Sequence, residues 1–357
     1  MIKFALVGCG RIAKRHSELL GHNQIDNAEL ACVCDTQKEK AEKIAKRMGV
    51  PFYTDMHEMM KNTSIDVVVV LTESGKHAEV VLSLIQYKKH IVVEKPMALT
   101  LDDADKMISQ CDEAGIKLFV IKQNRFNLPV QKLREALDQG RFGNLTLGTV
   151  RVRWSREQSY YDQDSWRGTW MYDGGVLTNQ ASHHIDLLEW MLGEPISVFA
   201  ISKTSLVEIE AEDTACVLIK FANGAFGIVE ATTAARPRDL EGSLSILGEK
   251  GSVVIEGFAV NKLKTWEFVE SKESDKDVIE KYSVNPPNVY GFGHKEYYDH
   301  VVKCIVNNSN QLVDGIEGRR SLELINAMYE SIETGKEVLL KNAQKKTKLG
   351  NYSKKYS

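Results

Sequence analysis

No run of about 18 apolar residues occurs in the 357-residue sequence, so it carries no hydrophobic stretch long enough to span a bilayer as a helix. Met1 to Gly10 has one early lysine and too short an apolar run for a secretory leader. A surplus of positive charge is absent too. Lys and Arg number 46 against 49 Asp and Glu, net −3, which leaves no global field to hold a phosphate backbone and argues against nucleic acid as a partner. The six cysteines (Cys9, Cys32, Cys34, Cys111, Cys216, Cys304) form no Cys-x-x-Cys pair and no regular framework. That pattern excludes a disulfide scaffold and a structural zinc site, and reads as reduced thiols in the cytoplasm. There is no internal repeat. What remains is an ordinary globular composition, 43% hydrophobic and 27% charged, long enough for about two domains.

From Met1 to about Ile121 short β-branched runs alternate with amphipathic stretches of ten or more residues, the pattern of βαβ units in a parallel sheet. Strands are expected at Ile2–Val7, Leu30–Cys34, Val67–Leu71, His90–Val93 and Leu118–Ile121. Helices are expected at Arg11–Leu20, Lys38–Met48, Lys76–Tyr87 and Leu101–Ala114. This describes a doubly wound α/β domain. After a connecting helix near Pro129–Gln139 the texture changes to longer alternating strands: Leu147–Trp154, Val198–Ser205, Thr214–Ala222, Gly227–Thr233 and Leu244–Leu247, with a hairpin signal at Asn223-Gly224. Helices are expected at Ser182–Leu192, His294–Asn307 and Gly318–Glu333. The expected division is a nucleotide-binding domain at 1–122, an α+β domain with a large, mainly antiparallel open sheet at 123–340, and a solvated basic tail at 341–357 with six lysines and no acid. Glu267–Lys281 reads as an exposed edge hairpin or loop.

Gly8-Cys9-Gly10-Arg11-Ile12-Ala13 follows the first strand and opens a helix, so its G-x-G-x-x-A spacing stands where a pyrophosphate-binding turn belongs. Asp35 closes the second strand 25 residues after Gly10, where a carboxylate accepts from ribose hydroxyls and repels a 2′-phosphate. NAD is therefore expected rather than NADP. Asp35 can equally cap the following helix. Thr72 follows the strand Val67–Leu71 at its carboxyl end, where ligands sit, and His77 opens the next helix either as a ligand contact or as a structural group. Glu94-Lys95-Pro96 ends the strand His90–Val93. A lysine there can polarise a carbonyl or stabilise an alkoxide, or it can snorkel at the surface. In Asp173-Gly174-Gly175 and the residues up to Asp186, Asn179 and His183 are spaced to share one face, with His183 able to exchange a proton or to serve as a satisfied core histidine. Metal binding by His183, His184 and Asp186 is disfavoured, because adjacent helical side chains diverge by about 100°. No metal is expected.

The order of glycine turn, Asp35, Glu94-Lys95-Pro96 and then Gly174-Gly175 leading to His183 and Asp186 resembles the glucose–fructose oxidoreductase, inositol dehydrogenase and MocA family over nearly the whole chain. The resemblance implies a nicotinamide-binding Rossmann domain joined to an open-sheet domain, oxidation or reduction of a hydroxyl on a sugar or cyclitol, and a homodimer or homotetramer. By it, Lys95 and His183 are the matched catalytic positions, and Asn179 orients the reacting group where the family often has Asp. The family also often has Gly at Ala181. The runs Lys122-Gln123-Asn124-Arg125-Phe126-Asn127, Trp166-Arg167-Gly168-Thr169-Trp170, Thr233-Ala234-Ala235-Arg236-Pro237 and Gly291-Phe292-Gly293-His294 are similar to those of bacterial UDP-N-acetylglucosaminuronate 3-dehydrogenases, enzymes of surface-polysaccharide biosynthesis. In some of these, bound NADH is reoxidised by 2-oxoglutarate.

On that resemblance, the expected cofactor contacts are Gly8, Gly10, Arg11, Ile12, Asp35, Thr72, His77, Glu94, Lys95 and Gln123. The expected substrate contacts are Lys95, Asn179, His183 and three guanidinium groups for the diphosphate and carboxylate, Arg125, Arg167 and Arg236. Other readings of the same residues are an inositol or free-sugar dehydrogenase, a glycosidase that oxidises C3 transiently with bound NAD, and a non-enzymatic NAD-binding redox sensor.

Overall fold

The computed structural model describes residues 1–283, 292–343 and 347–351. Among these no helix is long and apolar enough to cross a membrane. Gly291 of the Gly291-Phe292-Gly293-His294 run, and residues 344–346 and 352–357 of the basic tail, lie outside the described residues.

Six strands form the first sheet: β1 (Ile2–Val7), β2 (Ala28–Cys34), β3 (Phe52–Tyr53), β4 (Val67–Val70), β5 (His90–Val93) and β6 (Leu118–Val120). Their order is β3-β2-β1-β4-β5-β6, with every pairing parallel. A parallel sheet is covered on both faces by its crossover helices, which is why Val67, Val68, Val69 and Val70 are all inaccessible although consecutive residues point to opposite faces. The helix Lys38–Met48 starts and stops as its residues dictate. Glu39 lies in its first turn, Lys46 and Arg47 in its last, and Gly49 takes a left-handed φ of 70° at the end. The chain order reverses between β1 and β4, and the carboxyl ends of those two strands bring Gly8 and Leu71 together.

The second sheet has eight strands: β7 (Leu145–Arg153), β8 (Pro195–Lys203), β9 (Thr214–Phe221), β10 (Phe226–Thr232), β11 (Glu241–Gly248), β12 (Gly251–Glu256), β13 (Lys262–Phe268) and β14 (Val338–Leu339), in the order β13-β12-β11-β7-β10-β9-β8-β14. One pairing, β7 with β10, is parallel; the others are antiparallel. Along β9 Ala215, Val217, Ile219 and Phe221 point inward, while Cys216, Leu218 and Lys220 point outward. The helix Ser182–Leu192 packs on the inner face. Gly148 allows that approach, since a Cβ there would lie 2.7 Å from Leu192 and 2.8 Å from Leu188. The Asn223-Gly224 turn joins β9 to β10, with Gly224 at φ 87°.

The chain divides into two compact units in a way that differs from the continuous segments expected. One contains Met1–Ile121 together with His294–Arg320; the other contains the described residues of Lys122–Gly293 and Ser321–Ser357. The reason for the return is apolar. Tyr297, Tyr298 and Val301 are inaccessible, and Tyr298 stacks edge-on to Phe4 with ring centroids 5.6 Å apart. The basic tail is not wholly solvated either. Leu349 is inaccessible, Thr347 donates to Asn326 Oδ1 at 3.1 Å, and the Gly350 N–H donates to the Trp170 carbonyl at 2.8 Å. Glu267–Lys281 is the end of β13 followed by a short 3₁₀ turn and the helical turn Val278–Lys281, whose Val278 is buried.

Candidate active site

The glycine turn fits a dinucleotide. Gly8 has φ 99°, and a Cβ on it would lie 2.6 Å from the Leu71 carbonyl, so glycine alone lets the turn close against the end of β4. Around Gly10 nothing lies within 4 Å of a Cβ position, which leaves the approach to the backbone open. Arg11 is exposed and Ile12 half-buried, and Ala13, with no accessible surface, starts the helix Ala13–Gly21. Asp35 Oδ2 accepts the Cys9 N–H at 2.7 Å and Oδ1 accepts the Gln37 N–H at 2.8 Å. The carboxylate thus fixes the glycine turn and keeps lone pairs for hydroxyl donors. The cap of the following helix is Gln37, not Asp35. Thr72 Oγ1 is buried without a hydrogen-bond partner, a polar atom that a ligand donor or acceptor can satisfy.

Two expected cofactor contacts are spent inside the protein. His77 is buried with Nδ1 2.7 Å from the Pro96 carbonyl and Nε2 3.0 Å from the Thr72 carbonyl, and burial lowers its pKa. It ties the end of β4 to the segment after β5 rather than offering a nitrogen to a ligand. Glu94 is likewise buried; Oε2 accepts the Lys95 N–H at 2.8 Å and Oε1 lies 3.2 Å from His16 Nε2. Burial pushes this carboxyl up, but the hydrogen bond and charge of His16, with the charges of His294 and Lys95, hold it down at about 2. His16 Nδ1 in turn lies 2.6 Å from the Tyr298 hydroxyl. His16, Glu94 and His294 bring ligating atoms within 4.8 Å of one another, yet both His16 nitrogens and both Glu94 oxygens face protein partners. The sequence pattern did not single out His16, because its partner Glu94 is 78 positions away, and it named His294 only as the end of the Gly291–His294 run. Lys95 follows β5 half-buried, its backbone fixed by the Glu94 carboxyl.

In the second unit the glycine pair makes a tight turn, with Gly174 at φ 77°. Asn179 and His183 are half-buried, while Thr178, Gln180, Ala181, Ser182 and His184 between and beside them are buried. Asn179 Nδ2 donates to Asp173 Oδ1 at 2.6 Å, and Asp173 Oδ2 accepts the Gly168 N–H at 2.8 Å. A carboxylate therefore stands behind the amide, and Asp173 is a site residue that sequence reading missed. Gln123, expected among the cofactor contacts, belongs to this unit. Its Nε2 lies 3.0 Å from His183 Nε2, and its Oε1 is buried without a partner.

Arg125 is put to another use than substrate binding. It is 2% exposed, its Nε and Nη2 each donate to Asp186 at 2.8 Å, and its guanidinium lies 5.0 Å from the Trp190 ring centroid. Lys122 Nζ is 3.5 Å from the same carboxylate and donates to Ser321 Oγ at 2.6 Å. Burial raises the Asp186 pKa, but the two cations bring it down overall. Asp186 is thereby committed to Arg125 and Lys122, not to a metal. Arg167 donates to Asp164 at 3.0 Å and to the Tyr160 hydroxyl at 2.8 Å, and lies 4.7 Å from the Tyr160 and Trp166 rings. Arg236 is exposed and donates to the carbonyls of Thr233, Ala235 and Arg156 at 3.1, 2.8 and 3.0 Å.

Residues 2–122 match the oxidoreductase family described as having an NAD-binding Rossmann fold, and residues 134–340 match the C-terminal alpha/beta domain of the same oxidoreductase family. The structure is similar to that of the WlbA dehydrogenase from Bordetella pertussis in complex with NADH and UDP-GlcNAcA, with 42% identity, TM-score 0.90 and coverage of 95% of this chain and 97% of that one. A WlbA dehydrogenase from Chromobacterium violaceum, also in complex with NADH and UDP-GlcNAcA, is 42% identical with TM-score 0.89 and 95% coverage of each chain. The myo-inositol 2-dehydrogenase of Thermotoga maritima is 27% identical over 95% of this chain and 98% of its own.

Proposed function

The chain belongs to the glucose–fructose oxidoreductase, inositol dehydrogenase and MocA family and is an NAD-dependent dehydrogenase of a sugar or polyol CH–OH group, and from that premise we propose that it oxidises the C3 hydroxyl of UDP-N-acetylglucosaminuronate to a 3-keto sugar nucleotide. The observation that carries this reading is the likeness, at 42% identity over 95% of the chain, to two dehydrogenases crystallised with NADH and that nucleotide sugar. NAD, when bound, supplies the acceptor for the C3 hydride. Gly8, Gly10 and the start of the helix Ala13–Gly21 hold its pyrophosphate, Asp35 its ribose, and Thr72 a further polar atom.

His183 takes the hydroxyl proton, with the Gln123 side chain beside its ring. Asn179, backed by Asp173, holds the reacting group. Lys95 stabilises the charge that develops on oxygen as the C–H bond breaks. Arg167 and Arg236 serve the diphosphate and carboxylate; Arg125 does not. A homo-oligomer paired through the outer face of the second sheet, and 2-oxoglutarate as the oxidant of bound NADH, complete the proposal. The test is rapid mixing of NAD-loaded protein with UDP-N-acetylglucosaminuronate or myo-inositol while following NADH absorbance. A burst with the nucleotide sugar alone, discharged by 2-oxoglutarate, is expected; a burst with inositol alone moves the chain to the cyclitol dehydrogenases.

A further inference from the structure

Beneath the turn that carries Asn179 lies a second carboxyl group. Glu212, two residues before β9, is 3% exposed. Its Oε1 accepts the Leu177 N–H at 2.9 Å and the Tyr329 hydroxyl at 3.0 Å, and its backbone carbonyl accepts the Val176 N–H at 2.9 Å. The inaccessible Tyr329 hydroxyl also accepts the Gly175 N–H at 3.2 Å and lies 2.8 Å from Thr178 Oγ1. A phenol has one proton to give, so with that proton on Glu212 the Thr178 hydroxyl donates to Tyr329. Four consecutive residues, Gly175 to Thr178, are thus tied to a single Glu212–Tyr329 pair. Packing leaves no slack: a Cβ on Gly175 would overlap the Glu212 carboxyl and carbonyl.

Glu212 Oε2 is buried and has no hydrogen-bond partner. An anion with one oxygen undonated is expensive there, whereas a neutral acid lacks only an acceptor for its proton. The facing groups agree. Asp173 adds charge of the same sign, Tyr329 is itself held neutral by burial, and Tyr161 is tied to Thr233. Asp213, next in the chain, turns its carboxylate to the Ser205 and Leu206 N–H groups and the Thr214 hydroxyl. Burial first, then Asp173, lifts the Glu212 carboxyl to about 7 against the donors from Leu177, its own backbone N–H and Tyr329.

We propose that Glu212 is a positioning residue for Asn179 and His183: as a neutral acid it locks the 175–178 turn, and loss of its proton to solvent loosens that turn. The inference rests on the roles given above to Asn179 and His183. Gln at this position keeps an acceptor for Leu177 and Tyr329 and does not ionise.

The experiment is hydrogen–deuterium exchange of the full-length protein, wild type and Glu212→Gln, reading the peptide that spans residues 174–180 at about pH 6 and about pH 8.5, corrected for intrinsic exchange. Wild-type protection is expected to fall about tenfold between the two conditions and that of E212Q to stay level. The kcat ratio of E212Q to wild type is expected near one at the lower pH and about tenfold at the higher, with equal NAD affinity. Identical loss of protection in both proteins, or a kcat lowered by one factor at both pH values, overturns the proposal. If E212Q does not fold, Tyr329→Phe cuts the tie to Gly175 and Thr178 and is expected to lose protection already at pH 6; unchanged protection overturns it. Exchange needs no substrate, so a failed nucleotide-sugar reading shows as absent NADH formation while the exchange result stands.

Discussion

Three side chains show how burial decides what a charged group is for. Lys95 is half-buried at the end of β5, where a cation still has access to a bound molecule. Lys95→Met is expected to lower kcat by about 10³-fold while NAD affinity is retained, because the methionine keeps the packing and removes the charge; turnover and fluorescence titration of NAD check it. Arg125 is the opposite case, sealed against Asp186 and Trp190. Arg125→Ala leaves a buried carboxylate short of its bidentate partner and is expected to destabilise the fold by about 3 kcal/mol, read from urea unfolding. A loss of substrate affinity at unchanged stability would return this residue to the binding site. Glu212 is the third. Its carboxyl stands at about 7 in the fold against an ordinary 4.5, chiefly through burial. A carboxyl raised in this way holds its proton in the folded chain after the unfolded chain has released one. Its stabilising contribution is therefore full below about pH 4.5 and lost as pH rises to about 7, by about 3 kcal/mol. Unfolding free energies of wild type and E212Q should diverge by that amount in favour of the variant between about pH 4.5 and about pH 8.

At the scale of elements, Gly8 carries the sharpest expectation. Its positive φ and the 2.6 Å from a Cβ to the Leu71 carbonyl mean that Gly8→Ala must push β1 and β4 apart at the nucleotide turn. NAD affinity should fall about a hundredfold with the sheet still folded, checked by titration and circular dichroism. That turn was legible in the sequence because its spacing, the preceding strand and the following helix are all local. The helices Lys38–Met48 and Ser182–Leu192 were legible for the same reason, having periodic faces and clear ends. The strand Phe52–Tyr53 and the helix Met56–Asn62 were not, since two and seven residues are too short to show a period. β12 and β13 were not read as strands either, the end of β13 having been taken into the charged segment Glu267–Lys281. The site followed the same division. Asn179 lies in the turn before the helix Ser182–Leu192 and His183 on that helix, both half-buried, and what stands behind them, Asp173, Gln123, Glu212 and Tyr329, is assembled from separate parts of the chain. Arg125 was misread because a guanidinium in a motif looks the same in sequence whether it meets a ligand or a buried aspartate.

On the scale of the whole molecule, the outer face of the second sheet asks for a cover. Ile201, Leu218 and Phe226 are each more than half exposed, and register places Phe199 opposite Leu218, Leu218 opposite Ile228, and Phe226 opposite Leu147. The result is a continuous apolar stripe across β8, β9, β10 and β7, larger than the scattered exposed leucines of an ordinary surface. Beside it on the same face lie Arg151, Arg153, Glu230 and Glu241, joined by ion pairs such as Arg153–Glu230 at 2.6 Å. A patch with apolar residues flanked by both signs of charge is self-complementary, which suits an isologous pairing of two copies about a twofold axis. The same stripe on a chain without a mate would be an aggregation hazard, and the wide sheet gives room for the roughly 800 Å² per partner that a stable interface needs. Leu218→Glu puts a charge in the middle of the stripe and leaves the inward residues Val217 and Ile219 in place. Light scattering after size exclusion should then report the mass of one chain instead of a multiple. An unchanged mass would mean that the copies meet elsewhere and that this face is covered by another partner or left bare.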